Sequence, residues 1–218
     1  MARRIHISKL RGKGSLRRKP GQKPPRSITL IVCEGETEQE YFESARIHYE
    51  LTRAEVIVAE NTIGPAPISV VECAVNKSGE PGGYDRIYCI FDRDGHESFD
   101  RAREKIRALA GRARKPLPIK EAISIPCFEV WVLLHFERQD APFNACADVI
   151  HRIRAAHLAA YEKADAAISR QLLAGVEVAL TNADWLEERA VVNAFNPYTS
   201  VHHVLRHFQA TASSQAAL

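Results

Sequence analysis

No apolar run in this 218-residue chain approaches the roughly 20 residues a membrane span needs, so contact with a membrane is not expected. The basic N-terminus lacks the apolar core of a secretory signal. No Cys-x-x-Cys pair occurs, and the five cysteines (Cys33, Cys73, Cys89, Cys127, Cys146) are odd in number, which argues against a disulfide framework. Cys33, Cys89 and Cys127 lie in apolar company and read as small core residues. These absences point to the cytoplasm. There is no Gly-x-x-x-x-Gly-Lys-Ser/Thr loop and no serine elbow, so neither a P-loop ATPase nor a serine hydrolase is supported. The histidines lack the Glu-bearing zincin pattern. His203 and His207 share a helix face at i, i+4, His135 reads as a core or cleft residue, and a zinc site is not expected.

What is present is a split of charge. The net of +3 hides ten Lys or Arg and no acid in residues 1–26, leaving 20 basic against 27 acidic residues, a net of −7, in 27–218. A basic, flexible arm on a mildly acidic body is attracted to phosphate backbones, although a solubilising tail is the competing reading. The 45% hydrophobic content supports a sizeable core.

Downstream of the arm, strands and helices alternate. Strands are expected at 28–33, 55–59, 84–91 and 119–125, with helices at about 37–50, 67–77 and 97–110. A turn precedes the second helix at Gly64-Pro65, and Gly111 caps the third. Such alternation implies an α/β fold with a parallel sheet flanked by helices. Residues 127–136 read as a buried helix. Beyond 140 the strand signals stop, and 146–160, 164–190 and a last helix through about 209 give a C-terminal helical part, with Thr199 or Ser200 as its cap. The layout is a basic arm at 1–26, an α/β unit at 27–126, and a helical extension at 127–218 packed on it.

Two strand ends carry the chemistry. The first delivers Glu34-Gly35-Glu36 and the third Asp92-Arg93-Asp94-Gly95. Ligands of open α/β sheets bind beyond the carboxyl ends of the strands. Carboxylates there suit a hard divalent cation, which takes oxygen ligands and assists phosphodiester displacement. Turn-forming aspartates and a helix-start glutamate are the competing reading. Glu38 and Glu40 fit as ordinary acids complementing a helix dipole. Glu129 stands in an apolar helix beside Phe128, Val130 and Trp131, where an unpaired carboxylate is expensive. It faces a polar cleft or pairs with a buried cation. Arg93 either binds substrate phosphate or balances local acid.

The segments Ile-Val-Cys-Glu-Gly-Glu-Thr-Glu (31–38), Tyr-Asp-Arg-Ile-Tyr-Cys-Ile-Phe-Asp-Arg-Asp (84–94) and Ile-Pro-Cys-Phe-Glu-Val-Trp-Val-Leu-Leu-His-Phe (125–136) resemble the RloB family. So do Tyr161-Glu162-Lys163 and Asn196-Pro197-Tyr198-Thr199-Ser200-Val201-His202. The resemblance implies a TOPRIM-like sheet with Glu34, Asp92 and Asp94 as its acidic site. It adds Glu129 as a further metal ligand and Lys163 as a cation near the scissile phosphate, and it carries no role to Glu38. It also implies Mg²⁺ or Mn²⁺ as cofactor, DNA or RNA as substrate, and a place in anti-phage defence with an ATPase partner protein. A metal-dependent nuclease is thus the leading expectation. A non-catalytic nucleic-acid-binding or regulatory subunit is the alternative.

Overall fold

In the computed structural model, which describes residues 28–59 and 66–216, the run Thr-Leu-Ile-Val-Cys forms β1 (Thr29–Cys33), buried along its whole length. Apolar residues at every position, instead of every second one, mark a strand covered on both faces. β2 (Ala54–Val58) pairs on one side of it and β3 (Arg86–Asp92) on the other, both parallel. β4 (Ile119–Ile125) adds in parallel to β3. A two-residue strand, β5 (Tyr198–Thr199), closes the order β2-β1-β3-β4-β5 and runs antiparallel to β4.

Eight helices among the described residues flank this sheet: α1 (Glu36–His48), α2 (Pro67–Ser78), α3 (Phe99–Ala110), α4 (Glu129–Leu133), α5 (Cys146–Ala156), α6 (Ala166–Leu173), α7 (Val176–Arg189) and α8 (His202–Ala216). Alternate residues of each central strand face opposite sides. Leu30, Val32, Ile87, Cys89 and Phe91 pack with Val70 and Val71 of α2 and Phe99 and Ile106 of α3. Ile31, Cys33, Tyr88 and Ile90 face a larger core containing Tyr41, Phe42, Trp131, Leu133, Leu186 and Phe208. The chain beyond 127 therefore buries the face that α1 alone leaves uncovered.

Several expectations need correction. Beyond 140, where no strand is expected, Tyr198–Thr199 supplies β5, because a two-residue strand is too short to show a period. Ser200 also joins the sheet edge, its hydroxyl accepting from Ile123 N–H at 2.9 Å. Thr199 Oγ1 accepts from Val201 N–H just ahead of α8. That helix continues past 209 to Ala216, with Ser213 and Ser214 hydroxyls donating to carbonyls four residues back. The apolar stretch 127–136 is a short helix with turns on both sides, not one long helix. Gly111 caps α3 but at φ −86°, so its freedom at positive φ is not used. Cys127 is not an isolated core thiol: it is joined to Cys146 by a disulfide. Counting cysteines could not reveal a single pair among five. The basic arm and the Gly64-Pro65 turn lie outside the described residues.

Candidate acidic site at the strand ends

β1 and β3 are neighbours, with Cys33 opposite Ile90. The chain leaving β1 keeps contact with β3 through Glu34 N–H donating to Ile90 O at 3.0 Å. Glu34 and Asp92 thus emerge side by side. Glu34 Oε2 accepts the Asp92 N–H at 3.0 Å, and Asp92 Oδ2 accepts the Phe128 N–H at 2.8 Å. One carboxylate from each strand end is pinned by backbone donors, the second of them at the start of the segment that becomes α4. Glu34 Oε1 and Asp92 Oδ1 are buried without a hydrogen-bond partner, although His96 Nε2 stands 3.4 Å from the former. The Asp92–Gly95 turn needs its glycine, because Gly95 sits at φ +72°. It leaves Arg93 and Asp94 exposed.

Glu129 is fully buried, and its partner is Lys163, with Nζ 2.9 Å from Oε1. Tyr161 O–H donates to the same oxygen at 3.4 Å. Oε2 lies 3.1 Å from Cys146 Sγ, a contact only, since a disulfide sulfur has no proton to give. Glu129 therefore pairs with a lysine whose side chain is itself 52% exposed, so the pair reaches from the core to solvent.

Glu38 is the residue missed from sequence. Expected as an exposed helix-start acid, it is 6% exposed and points inward. Gly35 makes this fit: a Cβ there would stand 3.1 Å from Glu38 Oε2. The signal was legible, because Glu38 shares a buried stripe with Tyr41, Phe42 and Ala45 at helical spacing. His96, on the turn after β3, was likewise unremarked.

Like charges in a dry place oppose one another's ionisation. Burial, with a further push from Asp94, lifts the Glu34 carboxyl to about 7 against the opposing Asp92 N–H bond. Burial, then Glu129 and Glu34, raise Glu38 as well. Burial and Glu38 lift Asp92 well above the ordinary carboxylate range. Against the downward push of its own burial, Glu129 holds the Lys163 ammonium above its usual value. Among the described groups here, Lys163 is the one cation in ion-pair contact with the buried acids, apart from His96 if protonated.

This donor set is all oxygen and holds two orphaned buried carboxylate oxygens, which fits a hard divalent cation. It is looser than a finished cage. Among the described residues, the trios whose ligand atoms all lie within 4.8 Å of one another are Cys127, Glu129 and Cys146, and Glu187, His202 and His203. A loose set still suits Mg²⁺, which is usually held by one or two carboxylates plus water and substrate phosphate. The structure thus joins Glu34 to Asp92 and Glu129 to Lys163 directly, with Glu38 between the pairs electrostatically, and sets Asp94 at the exposed rim.

No curated protein and no solved structure matches the chain. A family model does, the one described as RloB-like protein, over residues 29–208. That span takes in every strand, the acidic strand ends, Glu129 and Lys163, and the chain belongs to the RloB-like family.

Proposed function

We propose that this protein is a Mg²⁺- or Mn²⁺-dependent nuclease that hydrolyses phosphodiester bonds of DNA or RNA. The observation carrying this reading is the excess of buried carboxylate over buried cation where β1 and β3 end. Glu34, Asp92, Asp94 and Glu129 would hold the ion. When bound, it would polarise a phosphoryl oxygen and lower the pKa of an attacking water. The Asp92 N–H holds the Glu34 carboxylate against the end of β3, and the Phe128 N–H holds the Asp92 carboxylate against the segment entering α4. Lys163 presents an ammonium at the mouth of the site, where negative charge builds up on a phosphate under attack. Glu38, raised toward neutrality by burial, is placed to hold or release a proton beside them. Arg93, exposed between the two aspartates, is free to meet a substrate phosphate. The family resemblance supports a place in anti-phage defence beside an ATPase partner.

The test is cleavage of DNA and RNA panels by purified full-length protein with Mg²⁺ or Mn²⁺, beside Glu34→Ala and Asp92→Ala. The parent is expected to cut only with metal, and each variant to lose at least about 100-fold. Equal cleavage by parent and variants overturns the assignment. Metal-independent binding without cleavage by the parent supports a regulatory subunit instead.

A further inference from the structure

Glu187 stands on the last turns of α7, and His202 and His203 open α8. Adjacent residues of a helix ordinarily diverge by about 100°. Here both imidazoles turn to one carboxylate instead. His202 Nε2 lies 3.2 Å from Glu187 Oε2, and His203 Nε2 lies 3.0 Å from Glu187 Oε1. The two ring centroids are 4.0 Å apart. His207, which shares a sequence face with His203, goes elsewhere: its Nε2 meets Thr29 Oγ1 at 3.0 Å.

We infer that Glu187, His202 and His203 form a binding site for a divalent transition-metal ion, Zn²⁺ foremost, distinct from the acidic site at the strand ends. Donor atoms about 2.0–2.1 Å from a shared tetrahedral ion stand about 3.3 Å from one another; here each imidazole nitrogen lies within 3.2 Å of a Glu187 oxygen, and one ligand atom from each of the three residues lies within 4.8 Å of the others. Two imidazole nitrogens and one carboxylate are donors for zinc, whereas the all-oxygen set at residues 34, 92 and 94 suits magnesium or manganese. The surroundings hold the ligands in place. Tyr198 O–H donates to Glu187 Oε1 at 3.3 Å, and Asp184, one turn earlier on α7, lies 3.9 Å from His202 Nε2 while pairing with Arg206. His202 is fully buried and its Nδ1 has no partner among the described residues. An ion held through Nε2 leaves that Nδ1 as it is, so the site rests on the convergence of both rings on Glu187 and not on this nitrogen. His203, 52% exposed, lines a cavity of about 420 Å³ shared with Arg93, Arg103, Phe195 and Tyr198. Three protein ligands beside an open cavity is the pattern of zinc sites that keep a position for water or substrate.

Untagged, metal-stripped, full-length protein would be titrated calorimetrically with Zn²⁺, and with Co²⁺ followed by visible absorbance. The comparison set is His203→Ala, Glu187→Gln, and Cys127→Ser/Cys146→Ser. One equivalent is expected to bind the parent and the cysteine variant, with tetrahedral Co²⁺ bands. His203→Ala and Glu187→Gln are expected to weaken binding at least about 10-fold. His203 is exposed, so its variant folds, and an unchanged circular dichroism spectrum checks this. Zn²⁺ should raise the melting temperature of the parent more than that of His203→Ala. Failure of the parent to bind stoichiometrically, or equal binding by parent, His203→Ala and Glu187→Gln, overturns the proposal and leaves a hydrogen-bonded His-Glu-His cluster. Loss of binding in the cysteine variant alone also overturns it, by moving the ion to Cys127 and Cys146.

Discussion

Replacing Glu34 by glutamine should make the metal-free protein more stable at alkaline pH and change little at acid pH. A carboxyl whose pKa is higher in the folded than in the unfolded chain binds more protons when folded. Its contribution to stability therefore falls as pH rises from the unfolded value through the folded one. For Glu34 the window runs from 4.5 to about 7, with burial as the main cause and Asp94 adding to it. The ionised side chain costs on the order of 3 kcal/mol at pH 8 and less than about 1 kcal/mol at pH 5. A glutamine keeps an oxygen to accept the Asp92 N–H. Desolvating its amide trims the expected gain at pH 8 to about 2 kcal/mol. Urea unfolding of parent and Glu34→Gln at the two pH values, in chelator, measures this directly. Adding Mg²⁺ should shrink the gap, because ion binding stabilises the parent more than the variant. An equal stability difference at both pH values, or a less stable variant at pH 8, would refute the reasoning that buried like charge dominates this site.

Lys163→Met should cost about 1–2 kcal/mol near neutral pH, less than breaking a fully buried pair, because half of the lysine side chain is exposed. In a Glu129→Gln background the same change should cost nearly nothing, which a double-mutant cycle by chemical denaturation would show. Thiol counting on the denatured, unreduced protein should find three reactive thiols, those of Cys33, Cys73 and Cys89. Cys127→Ser/Cys146→Ser should lower stability by about 2–3 kcal/mol, since the link closes a loop of 19 residues; no loss on denaturant titration would deny the link a structural role.

The parallel sheet was legible because β1, β3 and β4 are written in unbroken apolar runs, and the helices between them keep a helical spacing of buried residues such as Phe99, Ala102, Ile106 and Leu109. The acids at 34 and 92 were legible for the same reason: each follows immediately where such a run stops. β5 was not, because Tyr198-Thr199 takes its strand geometry from pairing with β4 and not from its own pattern. Glu38 reads two ways: a helix-start position suits an exposed acid, while its spacing with Tyr41, Phe42 and Ala45 puts it on the buried stripe, where Gly35 leaves room for the carboxylate. The convergence of His202 and His203 on Glu187 depends on how α7 meets α8, a long-range fact that local spacing does not encode.

The division of the sheet's two faces bears on how the chain is made. Apart from α1 and Leu51 just after it, the face carrying Ile31, Cys33, Tyr88 and Ile90 is covered by buried residues from 127 to 208, ending with Phe208 on the last helix. During synthesis, the four parallel strands are complete by residue 125. Their greasier side must then wait for more than eighty further residues, a count set by the position of Phe208. A ribosome-bound intermediate is thus one-sided, with its first face dressed by α2 and α3 and its second covered by α1 alone. Chaperone demand in the cell should peak late, just before α8 emerges, and a fragment ending at 126 would carry that sticky face permanently.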